Sequence, residues 1–220
     1  MAELLHTSPS EIFFTSGGTE ADNMVLRCAV RDLGVKRIIT SAIEHHAVLH
    51  AAEAMTKEYG IELELVDIDE QGFIDLKDLE NKLSRESAPQ TLVSLMHVNN
   101  EIGNILEVDK VAELCKTHQA LFHSDTVQSV GHYSWDLSKT SIHFICAAAH
   151  KFHGPKGIGF LYMRSDVPLK SLIVGGGQEK GFRAGTESVH NILGMEKAFT
   201  LAYQNLAEEK EYVLSLKKRF

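Results

Sequence analysis

The sequence predicts an α/β fold: a doubly wound, mostly parallel sheet of about seven strands with helices on both faces. Two observations carry this. Short apolar, β-branched runs alternate along the whole chain with segments of helical periodicity. Polar and glycine residues also gather directly after the strand-like runs, where open α/β sheets bind their ligands.

The elements follow in order. "EIFFTS" (11–16) reads as a short buried strand. A glycine pair then opens a helix with Met24, Val25, Cys28, Ala29 and Leu33 near one face. "RIITS" (37–41) is the second strand. "HAVLHAAEAMTKEYG" places Val48, Ala52, Met55 and Tyr59 at helical spacing and stops on Gly60, a residue suited to ending a helix. "IELELV" (61–66) is the third strand, and Leu76, Leu79 and Leu83 mark a helix after Asp75. "TLVSLM" (91–96) is a strand, and Val108, Val111, Ala112 and Cys115 mark the next helix. Strands follow at 120–124, 141–148 and 157–163. The glycine-rich "GGGQEKGFRAG" (175–185) predicts a mobile or tightly turned loop. From about Asn191 to Phe220 the chain reads as helix.

Composition narrows the function classes. The 220 residues are 44% hydrophobic, enough for a sizeable core, and the net charge of −8 argues against a nucleic-acid partner. No run of 18 apolar residues predicts a membrane span, and the first residues lack a secretory pattern. Cys28, Cys115 and Cys146 are an odd number without CxxC spacing. They predict small core residues in a reducing, cytoplasmic compartment rather than a disulfide framework.

Five strand ends deliver polar groups: Gly17-Gly18-Thr19, then Glu44-His45-His46, His97 with Asn99-Asn100, Asp125 with Gln128, and His150-Lys151. Together they suit one polar, anionic, ring-containing ligand. Each has a plainer alternative. The glycine turn is either an ordinary capped turn or a phosphate site at a helix N-terminus. The glycines spell neither GxGxxG nor GxxxxGK[ST]. His46 and His50 are four apart on a helix, but no third ligand is evident, so no metal is expected. Asp125 could cap a turn. Lys151 could be solvated; carried to this edge and partly desolvated, it becomes an amine nucleophile or base.

The segments "FTSGGTEADN", "EHHAVL", "MHVNNEIG", "HSDTVQSVG", "AHKFHGPKGIG" and "GGGQEKGFRAGTESVHNILG" resemble, in order, those of the cysteine desulfurases within the class-V aminotransferases. The resemblance implies pyridoxal 5'-phosphate as cofactor and the large-domain fold of the aspartate-aminotransferase type over residues 1–220. It also implies a homodimer, L-cysteine as substrate, and a persulfide passed to an acceptor protein for iron–sulfur or thiolation pathways. Lys151 matches the lysine that holds the cofactor, and Asp125 the carboxylate facing the pyridine nitrogen. His45 matches the histidine stacked on the ring, while Asn100 and Gln128 match groups around its ring oxygen. Gly18, Thr19 and His150 match the phosphate side, and Thr186 a threonine reaching phosphate across the dimer interface.

Two departures stand out. Ala148 occupies a place where the family often has a phosphate-binding serine, so weaker cofactor retention is expected. None of the three cysteines matches the persulfide-carrying cysteine, and the N-terminal segment and C-terminal small domain are expected to be absent. Selenocysteine lyase, an aminotransferase of the same class, and a non-catalytic family member remain the alternatives.

Overall fold

The computed structural model describes residues 1–86, 88–167 and 169–219. Its strands are β1 (Ile12–Thr15), β2 (Arg37–Ser41), β3 (Glu62–Val66), β4 (Thr91–Ser94), β5 (Leu121–Asp125), β6 (Phe144–Ala148) and β7 (Gly159–Met163). Its helices are α1 (Gly18–Asp32), α2 (His46–Tyr59), α3 (Leu76–Leu83), α4 (Val108–Thr117) and α5 (Val189–Lys217). The strands form one sheet of seven in the order β1-β7-β6-β5-β4-β2-β3. The sheet is parallel except for β7, which runs antiparallel to β1 and β6.

Alternating residues of each strand feed two separate cores, as the pleat requires. Ile38, Leu92, Leu121, Phe144 and Leu161 face α1 and α2. Ile39, Val93, Phe122, Ile145 and Phe160 face the opposite way, toward α3, α4 and α5. The apolar helix positions named above fill these layers: Met24, Val25, Val48 and Met55 on one side, Leu79, Val111 and Cys115 on the other. The three cysteines are buried and free.

Local chemistry sets the ends of the helices. Asp75 caps α3 by accepting the N–H groups of Lys77 and Asp78. Gly60 ends α2 in the left-handed region at φ 65°, its N–H bonded to the Thr56 carbonyl. The expected strand at 141–148 is shorter, starting at Phe144. Its lead-in is still anchored, since the His143 N–H donates to the Phe122 carbonyl and the Arg164 N–H to the His143 carbonyl. No helix among the described residues is long and apolar enough to cross a membrane.

The connection from β1 to β2 crosses nearly the whole sheet. Helix α1 therefore lies over its centre, against β5, β6 and β7, with its N-terminus at the carboxyl ends of β5 and β6. This crossing brings distant parts of the sequence to one place.

Candidate active site

At that edge lies a cavity of about 230 Å³. Eight of the nine expected residues line it: Gly18, Thr19, His45, Asn100, Asp125, Gln128, His150 and Lys151. Ala148 also lines it, from the last position of β6. Thr186 does not. It is exposed in a second cleft, beside Ser16 and Arg183.

Glycine shapes the end of the cavity at the start of α1. Gly17 sits at φ 151°, ψ −175°, a backbone region that side chains disfavour, and turns β1 into α1. A Cβ on Gly18 would meet Val127 Cγ2 at 2.6 Å, so the helix can approach the β5 turn only with glycine there. No side chain caps α1. Its first N–H groups are thus left for an anion, which the helix dipole also favours.

Asp125 ends β5 and is buried. Its Oδ1 accepts the Val127 N–H at 2.9 Å. Burial pushes its carboxyl well above the usual carboxylate range, and the nearby Asp22 adds to the rise. A cation placed beside this carboxylate would relieve both penalties. His45 is the N-cap of α2, where its Nδ1 accepts the Ala47 N–H at 3.1 Å. In the neutral ring that bond leaves the proton on Nε2.

The turn after β6 carries His150 and Lys151 on a short 3₁₀ segment, Ala149–Phe152. The expectation of a partly desolvated lysine is not met. Lys151 is exposed, because the 3₁₀ turn sets it past the strand end, on the open side of the cavity. Burial, together with Lys151 and Lys156, pushes His150 below its ordinary value.

The neighbouring asparagines divide their work. Asn100 lines the cavity, whereas buried Asn99 staples its loop. The Asn99 Nδ2 donates to the Ile43 carbonyl at 2.7 Å, and Oδ1 accepts the N–H groups of Glu101 and Ile102. His45 lines the cavity, whereas His46 stacks on His50 with ring centroids 4.5 Å apart. The glycine-rich loop is of the tightly turned kind. Glu179 and Lys180 adopt left-handed backbone angles, and the Arg183 guanidinium donates to both Glu20 oxygens at 2.8 and 3.0 Å.

Asp22 and Met96 also line the cavity and were not expected. Asp22 was findable, since it lies one helical turn after Gly18 and so on the same face.

The set fits a phosphorylated pyridine aldehyde. Gly18 leaves an open helix terminus for a phosphate, buried Asp125 suits a ring cation, and Lys151 offers a primary amine.

Comparison with known proteins agrees. The chain is 43% identical over 222 residues to the cysteine desulfurase IscS of Clostridium botulinum, covering 100% of this chain and 55% of that protein. It thus spans about half the length of the curated relatives it matches. A solved NifS-like protein superposes with a TM-score of 0.93 at 39% identity, over 99% of this chain and 60% of that one. A structure described as SspA in complex with cysteine gives 0.83 at 33% identity, over 90% and 57%. The family pattern described as aminotransferase class-V matches residues 1–219, and the chain belongs to that family.

Proposed function

We propose that residues 1–220 form the cofactor-binding large domain of a pyridoxal-phosphate-dependent cysteine desulfurase, acting in the cytoplasm as a homodimer. The observation that carries this reading is that Lys151, Asp125, His45 and the Gly18–Thr19 turn line one cavity, in a chain 43% identical to a desulfurase. The cofactor supplies an electron sink that withdraws electrons from the substrate Cα.

The chain's own groups do the rest. Lys151 would hold the cofactor through Nζ, and its amine would carry a proton at the substrate Cα. Asp125 keeps the ring nitrogen protonated. His45 would face the ring from the cavity wall and could carry a proton at the substrate from Nε2. Asn100 and Gln128 hold the ring oxygen. Gly18, Thr19 and His150 bind the phosphate, joined across a dimer interface by Thr186 of a second copy.

In the reaction the Cβ–S bond of L-cysteine breaks and the sulfur passes to a thiolate, giving alanine and a persulfide. Atoms balance with one thiol consumed per cysteine. Cys28, Cys115 and Cys146 are poor acceptors because all three are buried, and burial pushes the Cys28 thiol up to about 11. The acceptor thiol therefore comes from elsewhere, such as a sulfur-acceptor protein.

The test is a product assay with the cofactor-loaded chain, L-cysteine and an added dithiol. Alanine and sulfide in equal amounts are expected. A keto acid instead would assign an aminotransferase, and turnover of selenocysteine alone would assign a selenocysteine lyase.

A further inference from the structure

Beneath the cavity floor lies a group of side chains that the proposed function leaves unused. Asp22 projects from α1, and His123 and Cys146 meet it from β5 and β6. They can meet because His123 shares a strand face with Asp125, two residues on. All three are completely buried. The Cys146 thiol donates to Asp22 Oδ1 at 2.7 Å, and His123 Nε2 stands 3.5 Å from the same oxygen. On its far side, His123 Nδ1 is 2.8 Å from the Ser94 hydroxyl. Among the described residues, Asp22 Oδ2 and His123 Nε2 have no hydrogen-bond partner.

Two ring tautomers are conceivable. With the proton on Nδ1, the Nε2 lone pair would face a carboxylate oxygen, opposing two acceptors in a buried place. With the Ser94 hydroxyl donating to Nδ1, the proton sits on Nε2 and is directed at Asp22. The second arrangement alone turns a donor, not a lone pair, toward the Asp22 oxygen 3.5 Å away.

Asp22 also reaches the wall of the cavity that Asp125 floors. The titratable groups around this pair are His123 from β5, Cys146 from β6, Glu44 after β2, and Lys151 across the cavity. A second carboxylate so close opposes ionisation of Asp125 alone. It favours a cation placed beside the two.

We propose that Ser94, His123 and Asp22 form a polar chain that fixes the Asp22 carboxyl group behind Asp125, so that two acidic groups favour the protonated form of the cofactor ring nitrogen. The inference rests on the cofactor reading above. Asp22 is a positioning residue in it: it acts through its charge on the atom that Asp125 would contact, and no bond is made or broken.

The test uses the full chain loaded with pyridoxal phosphate labelled with ¹⁵N in the ring, followed by NMR over a pH series. Asp22→Asn is expected to move the midpoint of ring-nitrogen protonation down by about one pH unit or more. His123→Gln is expected to shift it the same way, and Asp22→Glu to restore it. An unchanged midpoint in both Asp22→Asn and His123→Gln overturns the proposal.

Should either variant fail to fold, imidazole ¹⁵N shifts of His123 in the unaltered protein without cofactor give a second reading. An Nε2–H tautomer is expected there, and an Nδ1–H tautomer overturns the chain. Failure of the cofactor reading has a separate signature, the absence of any Lys151-dependent visible band in the unaltered protein. That result removes the role at the ring nitrogen, while the His123 tautomer still decides whether the Ser94–His123–Asp22 chain exists.

Discussion

Ala148 presents a methyl group to the cavity where a hydroxyl could donate to a bound anion. Ala148→Ser is expected to add a charge-assisted hydrogen bond of about 1.5–3 kcal/mol, tightening pyridoxal-phosphate affinity roughly tenfold to a hundredfold. Equilibrium titration of the visible band measures it, and an unchanged Kd would count against a phosphate near Ala148. Gly18→Ala acts in the other direction. Its Cβ would meet Val127 Cγ2 at 2.6 Å, and overpacking of this kind costs about 1–3 kcal/mol, readable by denaturant unfolding. Most cavity residues were legible from sequence because each directly follows a strand. Asp22 is marked only by its place one helical turn after Gly18, since it shares the buried side of α1 with the apolar stripe that faces the core. For Lys151 the sequence left solvated and desolvated placements both open, since the choice depends on a 3₁₀ turn whose geometry no spacing rule specifies.

At the scale of elements, the alternation of strand and helix runs was sufficient to place the seven strands and five α-helices, because most of them bury an apolar face; edge strand β3 and the far end of α5 bury little and were legible by apolar pattern and helical composition alone. Strand direction was less accessible. β7 joins β6 through a turn of about ten residues that contains the 3₁₀ segment, and nothing in its apolar pattern distinguishes antiparallel from parallel pairing. The glycine-rich loop was recognisable by composition, but its fixed shape depends on long-range partners. Arg183 reaches Glu20 in the first turn of α1, and Glu20 Oε2 also accepts the Ser16 N–H at 3.0 Å. This ion pair ties the glycine-rich loop to the turn that opens α1. Arg183→Met is expected to destabilise the protein by about 1.5–3 kcal/mol and to speed amide exchange across residues 16–20 and 175–185. Unchanged exchange in both segments would show that the tether does not hold the turn.

The whole molecule carries a pH dependence that follows from its buried acids. Glu44 accepts from the Ser41 hydroxyl and the Met96 N–H, yet burial pushes its carboxyl up to about 8. The folded state thus keeps a proton that the unfolded chain releases above its ordinary carboxylate value, so this group's contribution to stability falls as pH rises toward 8. Burial holds His97 and His143 down to about 4, which gives the opposite slope below about 6.5. The window from 6.5 to 8 therefore isolates the acids. There Glu44→Gln is expected to flatten the loss of stability seen in urea unfolding, and an identical slope in both proteins would assign it elsewhere. The exposed position of Thr186 suits a role in a second copy of the chain, so sedimentation at high concentration should show a dimer, and a persistent monomer would exclude that role. The proposed function turns on Lys151 holding pyridoxal phosphate in the cavity at the strand ends. Visible absorbance of the purified chain with added cofactor tests it most directly. A band of lysine-bound cofactor that vanishes in Lys151→Ala is expected; no band in the unaltered protein, or the same band in the variant, would overturn the cofactor reading.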